Sequence, residues 1–166
     1  LIMKIKSKVV YLYTDGSSLG NPGPGGYGLR LEWADRSHVK EFSQGFLRTT
    51  NNRMELLAVI VGLELLKKQP LEVMIYSDSK YVIDSVEKKW VFGWEKKKFK
   101  DKKNSDLWKR FLIIYRKHIV AFHWVKGHNQ HPQNERCDQL AVTAANGKNL
   151  IPDVVYEQLE KDKSKD

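Results

Sequence analysis

Four acidic residues, Asp15, Glu55, Asp78 and Asp138, stand where the local pattern does not call for a charge. Asp15 comes where the apolar run Val9-Val10-Tyr11-Leu12 leaves the core, and Asp78 ends a second such run, Val73-Met74-Ile75-Tyr76. Glu55 lies in the first turn of a helix whose inward stripe continues through Val59, Gly62 and Leu66. Asp138 shares a helix side with Ala141, Val142 and Ala145. Each acid alone has an ordinary account: a turn, a capping box Asn52-x-x-Glu55, a helix cap or a favourable first-turn charge. Together, four acids at the ends or inner faces of core elements point to one convergent site, which α/β sheets form at the carboxyl ends of their strands. Carboxylates without clustered cysteine or histidine suit a hard cation such as Mg²⁺ or Mn²⁺. A rival set, His123, His128, His131 and Cys137, has no common zinc spacing, and His123 falls inside a predicted strand.

The elements that must position these acids can be read from periodicity. Strands are expected over 9–14, 27–33 and 38–45, joined by short turn-rich links as in an antiparallel meander. Asn52 is expected to cap a helix running to about Lys68, stopped by Pro70. A strand over 71–77, a helix capped by Ser79 and reaching about Lys89, a helix over 106–118, a strand over 119–125 and a helix over 134–146 complete the pattern. Three antiparallel strands followed by two in βα alternation define an α/β fold, a five-stranded mixed sheet with helices on both faces. A domain over 1–146 is expected, followed by a tail over 147–166 whose charged end is expected to be disordered.

The glycines of Gly23-Pro24-Gly25-Gly26-Tyr27-Gly28 satisfy G-x-G-x-x-G. That motif binds dinucleotides only where it opens a helix. Here Leu29-Arg30-Leu31-Glu32-Trp33 alternates like a strand, so a nucleotide fold is rejected and the glycines are expected to make a hairpin connection.

The 166 residues carry 29 Lys and Arg against 20 Asp and Glu, a net charge of +9, which favours a polyanionic partner, nucleic acid before membrane. Cys137 is the single cysteine, so no intrachain disulfide forms and a reducing, cytoplasmic setting is expected. No apolar run approaches the length of a membrane span, and no signal peptide is evident.

Four segments, in this order, resemble the type 1 ribonuclease H family in its bacterial single-domain form. They are Tyr13-Thr14-Asp15-Gly16-Ser17 with Gly20-Asn21-Pro22-Gly23-Pro24-Gly25-Gly26-Tyr27-Gly28; Thr49-Thr50-Asn51-Asn52-Arg53-Met54-Glu55-Leu56; Ser77-Asp78-Ser79-Lys80-Tyr81-Val82; and Trp124-Val125-Lys126-Gly127-His128 through Asn134-Glu135-Arg136-Cys137-Asp138. The resemblance implies an RNase H-like fold and endonucleolytic cleavage of the RNA strand of RNA–DNA hybrids, leaving 5′-phosphate and 3′-hydroxyl ends. It implies that Asp15, Glu55, Asp78 and Asp138 hold two Mg²⁺ ions, or Mn²⁺ in their place, with Asp15 bridging both. It implies that His128 assists proton transfer or product release.

For substrate, the resemblance places Gly16, Ser18, Asn21 and Asn51, with Glu55, near the 2′-hydroxyls of the RNA strand. Thr50, Asn51 and Arg53 resemble a pocket that grips a DNA-strand phosphate, and Asn52 is grouped with them. The stretch 90–103 resembles a basic handle, in which Lys96, Lys97, Lys98, Lys100, Lys102 and Lys103 contact phosphates, and Trp90, Trp94 and Phe99 either pack the handle or line the DNA groove. Two departures stand out: Ser18 and Lys80 occupy positions where well-known relatives carry Cys and Gln, and Lys80 puts a charge near the substrate. The handle region is also a few residues shorter than in the best-known bacterial forms. A monomer without an obligate protein partner is expected. The competing reading is a non-catalytic hybrid-binding module, disfavoured because binding alone does not need concentrated negative charge facing a polyanion. A reverse-transcriptase module is disfavoured by the lack of polymerase sequence, and an integrase or transposase by the motif around Glu55.

Overall fold

A computed structural model describes residues 9–127 and 131–165. β1 (Val9–Ser18), β2 (Gly23–Trp33) and β3 (Val39–Thr49) form the antiparallel meander, and α1 (Asn51–Glu64) follows at once. Then come β4 (Glu72–Ser77), α2 (Lys80–Glu87), α3 (Trp90–Lys96), α4 (Ser105–Tyr115), β5 (Ile119–Trp124), α5 (Pro132–Ala145), β6 (Leu150–Ile151) and α6 (Val154–Lys163). The sheet order is β5-β4-β1-β2-β3-β6, with β4 parallel to both β1 and β5. The mixed α/β architecture is as expected. The sheet gains a sixth strand, because Leu150 and Ile151 pair in parallel with Gly45 and Phe46 at the β3 edge.

α1 is buried almost all round, from Arg53 through Ile60 and on to Leu63. Such a helix belongs in the centre of a core rather than on its surface. It packs against one face of the sheet, where a Cβ on Gly62 would collide with the side chain of Leu12. Behind it, Trp108, Phe111 and Leu112 of α4 complete the main core. Thr50, not Asn52, is its N-cap, accepting a hydrogen bond from the Arg53 amide at 3.3 Å.

α5 covers the other face, and it does so over the glycines. Gly23–Gly28 lie inside β2, not in a hairpin connection; the link is Leu19–Pro22. A Cβ on Gly28 would meet the Cys137 carbonyl at 2.4 Å, and one on Gly26 the Ala141 carbonyl at 2.5 Å. Gly26 and Gly28 therefore let a helix backbone lie directly on a strand.

The C-terminal segment also departs from expectation. α6 continues through Lys163 although none of its residues is buried. It is held by charge: Arg48 on β3 makes a two-pronged pair with Glu160, at 2.6 and 3.0 Å. Asp153, its N-cap, is seized by Arg53.

Candidate active site

Strand register explains why two acids meet. β1 and β4 run parallel, with Tyr13 level with Tyr76. Two residues further along each strand come Asp15 and Asp78. Chain direction then carries β3 through Thr50 into the first turn of α1, which lies against β1 so closely that a Cβ on Gly16 would reach the Glu55 amide at 2.4 Å. Glycine at that position lets Glu55 sit beside Asp15.

One carboxylate oxygen from each of Asp15, Glu55 and Asp78 lies within 4.8 Å of the others. Asp15 and Glu55 are buried and Asp78 is half-buried. Asp138, half-buried on α5, borders the Asp15 carboxyl and adds to its raised proton affinity. Three of the four expected acids thus form one compact cluster, and the fourth borders it.

The electrostatics of the cluster are unbalanced. Burial pushes the Asp15 carboxyl up to about 8, and the negative charge of Asp78 adds to the rise. Glu55 lies well above the ordinary carboxylate range, first from burial and then from Asp15 and Asp78. Glu55 Oε2 is buried without a hydrogen-bond partner. A buried orphan oxygen is costly unless something positive meets it. An all-oxygen donor set with a half-exposed side fits a hard divalent cation.

A shallow cleft of about 270 Å³ opens beside Glu55 and Asp78, also lined by Asn51, Asn52, Ser79, Lys80 and Tyr81. Ser79 caps α2 by accepting from the Val82 amide, which leaves Lys80 exposed at the rim. Asn21 accepts a hydrogen bond from the Asn51 amide at 3.0 Å, so Asn21, Thr50 and Asn51 do converge. Next to them a larger groove, about 750 Å³, is lined by Asn21, Thr50, Asn52, Lys102, Asn104 and Lys163. Gly16 and Ser18 lie on the β1 stretch leading out of the cluster.

Arg53 lines the same groove as Asn21, Thr50 and Asn52. Its side chain is 2% exposed, and both edges of the guanidinium are occupied. Nε and Nη2 donate to Asp153 at 2.7 and 2.9 Å, while Nη1 and Nη2 donate to Asp106 at 2.9 and 2.7 Å. These bonds clamp α1, α4 and the start of α6 together.

The handle is a short helix followed by tight turns. Lys98 and Phe99 have left-handed backbones, and the Phe99 amide donates to the Trp94 carbonyl at 2.8 Å. Lys96, Lys97 and Lys98 are exposed, as is Trp90. Trp94 is half-buried, edge-on to Trp108, so it anchors the handle to the core. His128 lies outside the described residues.

The rival zinc set does not assemble among the described residues. His123 packs on the Tyr76 ring, His131 packs against both Tyr13 and Tyr76, which stack on each other, and Cys137 is fully buried under β2. One contributor is not apparent from sequence: Trp124, at the end of β5, which donates its indole N–H to the Asp78 carbonyl at 3.3 Å.

A mixed sheet thus carries a carboxylate cluster beside its adjacent parallel strands β1 and β4. The RNase H family profile matches residues 7–146, and the chain belongs to that family. It is 54% identical over 157 residues to a ribonuclease H of Lachnoclostridium phytofermentans, an alignment covering 89% of this chain and 99% of the relative. It is 53% identical over 152 residues to one of Desulforamulus reducens, covering 89% and 94%. Among solved structures, LC9-RNase H1, a type 1 RNase H with the type 2 active-site motif, matches with a TM-score of 0.77 at 35% identity, covering 86% of this chain and 74% of that one. The family is metal-dependent, and its members are enzymes. No helix among the described residues is long and apolar enough to cross a membrane.

Proposed function

We propose that this protein cleaves the RNA strand of RNA–DNA hybrids endonucleolytically, leaving 5′-phosphate and 3′-hydroxyl ends, through a catalytic unit spanning 1–146. The observation that carries this reading is the convergence of Asp15, Glu55 and Asp78, two of them buried, within 4.8 Å of one another in a chain of net charge +9. A protein that only binds a polyanion has no reason to gather three acids at its binding face. Asp15, Glu55 and Asp78, with Asp138 at the border, would hold two Mg²⁺ ions, or Mn²⁺ in their place. When bound, such a pair activates a water for in-line attack and stabilises the departing 3′ oxygen.

The chain's own residues do the rest. Glu55 and Asp15 hold their carboxylates in fixed positions because β1 and α1 are locked together at Gly16. Asn21, Thr50 and Asn51 present short polar groups suited to the shallow minor groove, where 2′-hydroxyls separate RNA from DNA. Asn52, Ser18 and Lys80 border the same surface. The handle lysines Lys96, Lys97 and Lys98 neutralise phosphates further along, with Trp90 and Trp94 beside them. Arg53 serves the substrate indirectly, by fixing the first turn of α1. His128 assists proton transfer or product release. The enzyme acts as a cytoplasmic monomer.

The test is a hybrid labelled on either strand, incubated with Mg²⁺, Mn²⁺ or EDTA beside matched RNA–RNA and DNA–DNA duplexes. Cutting confined to the RNA of the hybrid, and abolished by EDTA, is expected. Tight hybrid binding without cutting in either metal overturns the reading in favour of a binding module.

A further inference from the structure

Trp124 touches two things at once. Its indole N–H donates to the carbonyl of Asp78 at 3.3 Å, and the ammonium of Lys80 lies over its ring, 3.8 Å from the centroid. Register makes this possible: Trp124 on β5 pairs with Ser77 on β4, one residue before Asp78 and three before Lys80. The ring is 40% exposed although it is large and apolar, so it is not there to fill the core. Lys80 is exposed on the first turn of α2 and lines the cleft that also holds Glu55 and Asp78.

A lysine at that place faces opposing demands. A free ammonium four carbons from the backbone would swing among many rotamers, and the acids that line the same cleft, Glu55 and Asp78, would draw it inward. Resting on an aromatic face restrains the side chain without neutralising it. A helix N-terminus is also a poor place for a cation, since the backbone amides there already present positive charge. The cation is therefore kept against the local electrostatic preference, and held by a neutral partner.

We propose that Trp124 is a positioning residue which presents the Lys80 ammonium to a backbone phosphate of the bound hybrid, next to the cleaved bond, while steadying the Asp78 segment through its N–H. This rests on the hybrid-cleaving reading above. Lys80 is the specificity-determining cation at the cleft, and the indole face decides where it points. The two jobs of the indole are separable. Trp124→Phe keeps an aromatic face and removes the N–H; Trp124→Leu removes both.

Hybrid binding is measured in EDTA as a function of salt, and cleavage kinetics in Mg²⁺, for Lys80→Gln, Lys80→Arg, both Trp124 variants and the Lys80→Gln/Trp124→Leu double variant. Circular dichroism confirms that each is folded. Lys80→Gln is expected to lower the slope of log K against log salt by about 0.9, the value for one neutralised phosphate, and to raise KM by about fivefold. Lys80→Arg keeps the wild-type slope. Trp124→Phe lowers kcat with little change in KM, whereas Trp124→Leu also raises KM by roughly two- to fivefold. The double variant has the KM of Lys80→Gln alone. An unchanged slope in Lys80→Gln, or additive KM effects in the double variant, overturns the proposal. These results are distinct from failure of the hydrolase reading, which shows as a wild-type protein that does not cut the hybrid.

Discussion

Two buried charge clusters hang from one turn of α1, and they are built oppositely. Arg53 meets Asp106 and Asp153, a cation enclosed by two carboxylates with all but one of its five N–H directions engaged by them. Two residues later Glu55 meets Asp15 and Asp78, three acids within 4.8 Å of one another. The shifts in proton affinity follow. Burial alone would raise Asp106, but hydrogen bonds from Arg53 outweigh it and hold the carboxyl below its usual range. At Asp15 burial and a neighbouring acid act together, and the carboxyl rises to about 8. The Arg53 cluster holds the fold; the burial of Asp15 and Glu55 beside other acids destabilises it, which is what a metal site costs.

The sharpest way to break this contrast is to neutralise one acid in each cluster. Asp15→Asn is expected to abolish cleavage and yet to raise the melting temperature in EDTA, since it removes buried repulsion. Asp153→Asn is expected to lower stability by about 3–5 kcal/mol, because it leaves part of a buried guanidinium unpaired. In a chain of this size each kcal/mol moves the melting temperature by about 2–4 °C. A melting scan that ranks the two variants the other way breaks the comparison.

The same contrast predicts opposite responses to pH. Asp15 has a folded value above its unfolded one, near 3.8. In EDTA its contribution is therefore favourable below about pH 4 and is lost as pH rises through about 8. The stability gained by Asp15→Asn should be negligible at pH 4 and grow toward pH 8. Asp106 has a lowered folded value, so its pair with Arg53 stabilises above the ordinary carboxylate range and is lost as pH falls through the folded value. Denaturant unfolding of Asp106→Asn against wild type should show a difference at neutral pH that vanishes in strong acid. Parallel pH trends for the two variants would remove the distinction.

Smaller effects sharpen it. His128→Ala should slow turnover without abolishing it, in contrast to Asp15→Asn; equal, complete loss in both contradicts the separate roles. Neutralising Lys96, Lys97 and Lys98 together should reduce the salt slope of hybrid binding by about 0.9 for each phosphate they neutralise in the wild type. An unchanged slope excludes the handle from binding.

Much of the active cluster is legible in the sequence because it breaks local rules. A charge on the inner face of a buried helix, or at the end of a buried strand, is visible in a window of ten residues. The Arg53 clamp is not legible. Its partners lie 53 and 100 residues away, and nothing near Arg53 distinguishes an arginine bound to acids from one waiting for a phosphate. The glycines of β2 read as turn formers because their cause, the backbone of α5, is more than a hundred residues distant. The charged end from Glu160 reads as disordered because its partners are distant in sequence; α6 runs on to Lys163, with Glu160 paired to Arg48 and the N-cap Asp153 to Arg53. Trp124 passes as one aromatic residue of a strand, since its contacts depend on the β4–β5 register.

The most direct test joins the metal site and its chemistry in one protein. Wild type and Asp15→Asn are melted in EDTA and in Mg²⁺, and the same samples are assayed on a labelled RNA–DNA hybrid. Mg²⁺ is expected to raise the wild-type melting temperature. Asp15→Asn is expected to melt higher than wild type in EDTA, to gain less from Mg²⁺, and to cut no RNA. An Asp15→Asn protein that is less stable in EDTA, or that still cleaves the hybrid, contradicts the claim that the converging carboxylates are the catalytic metal site.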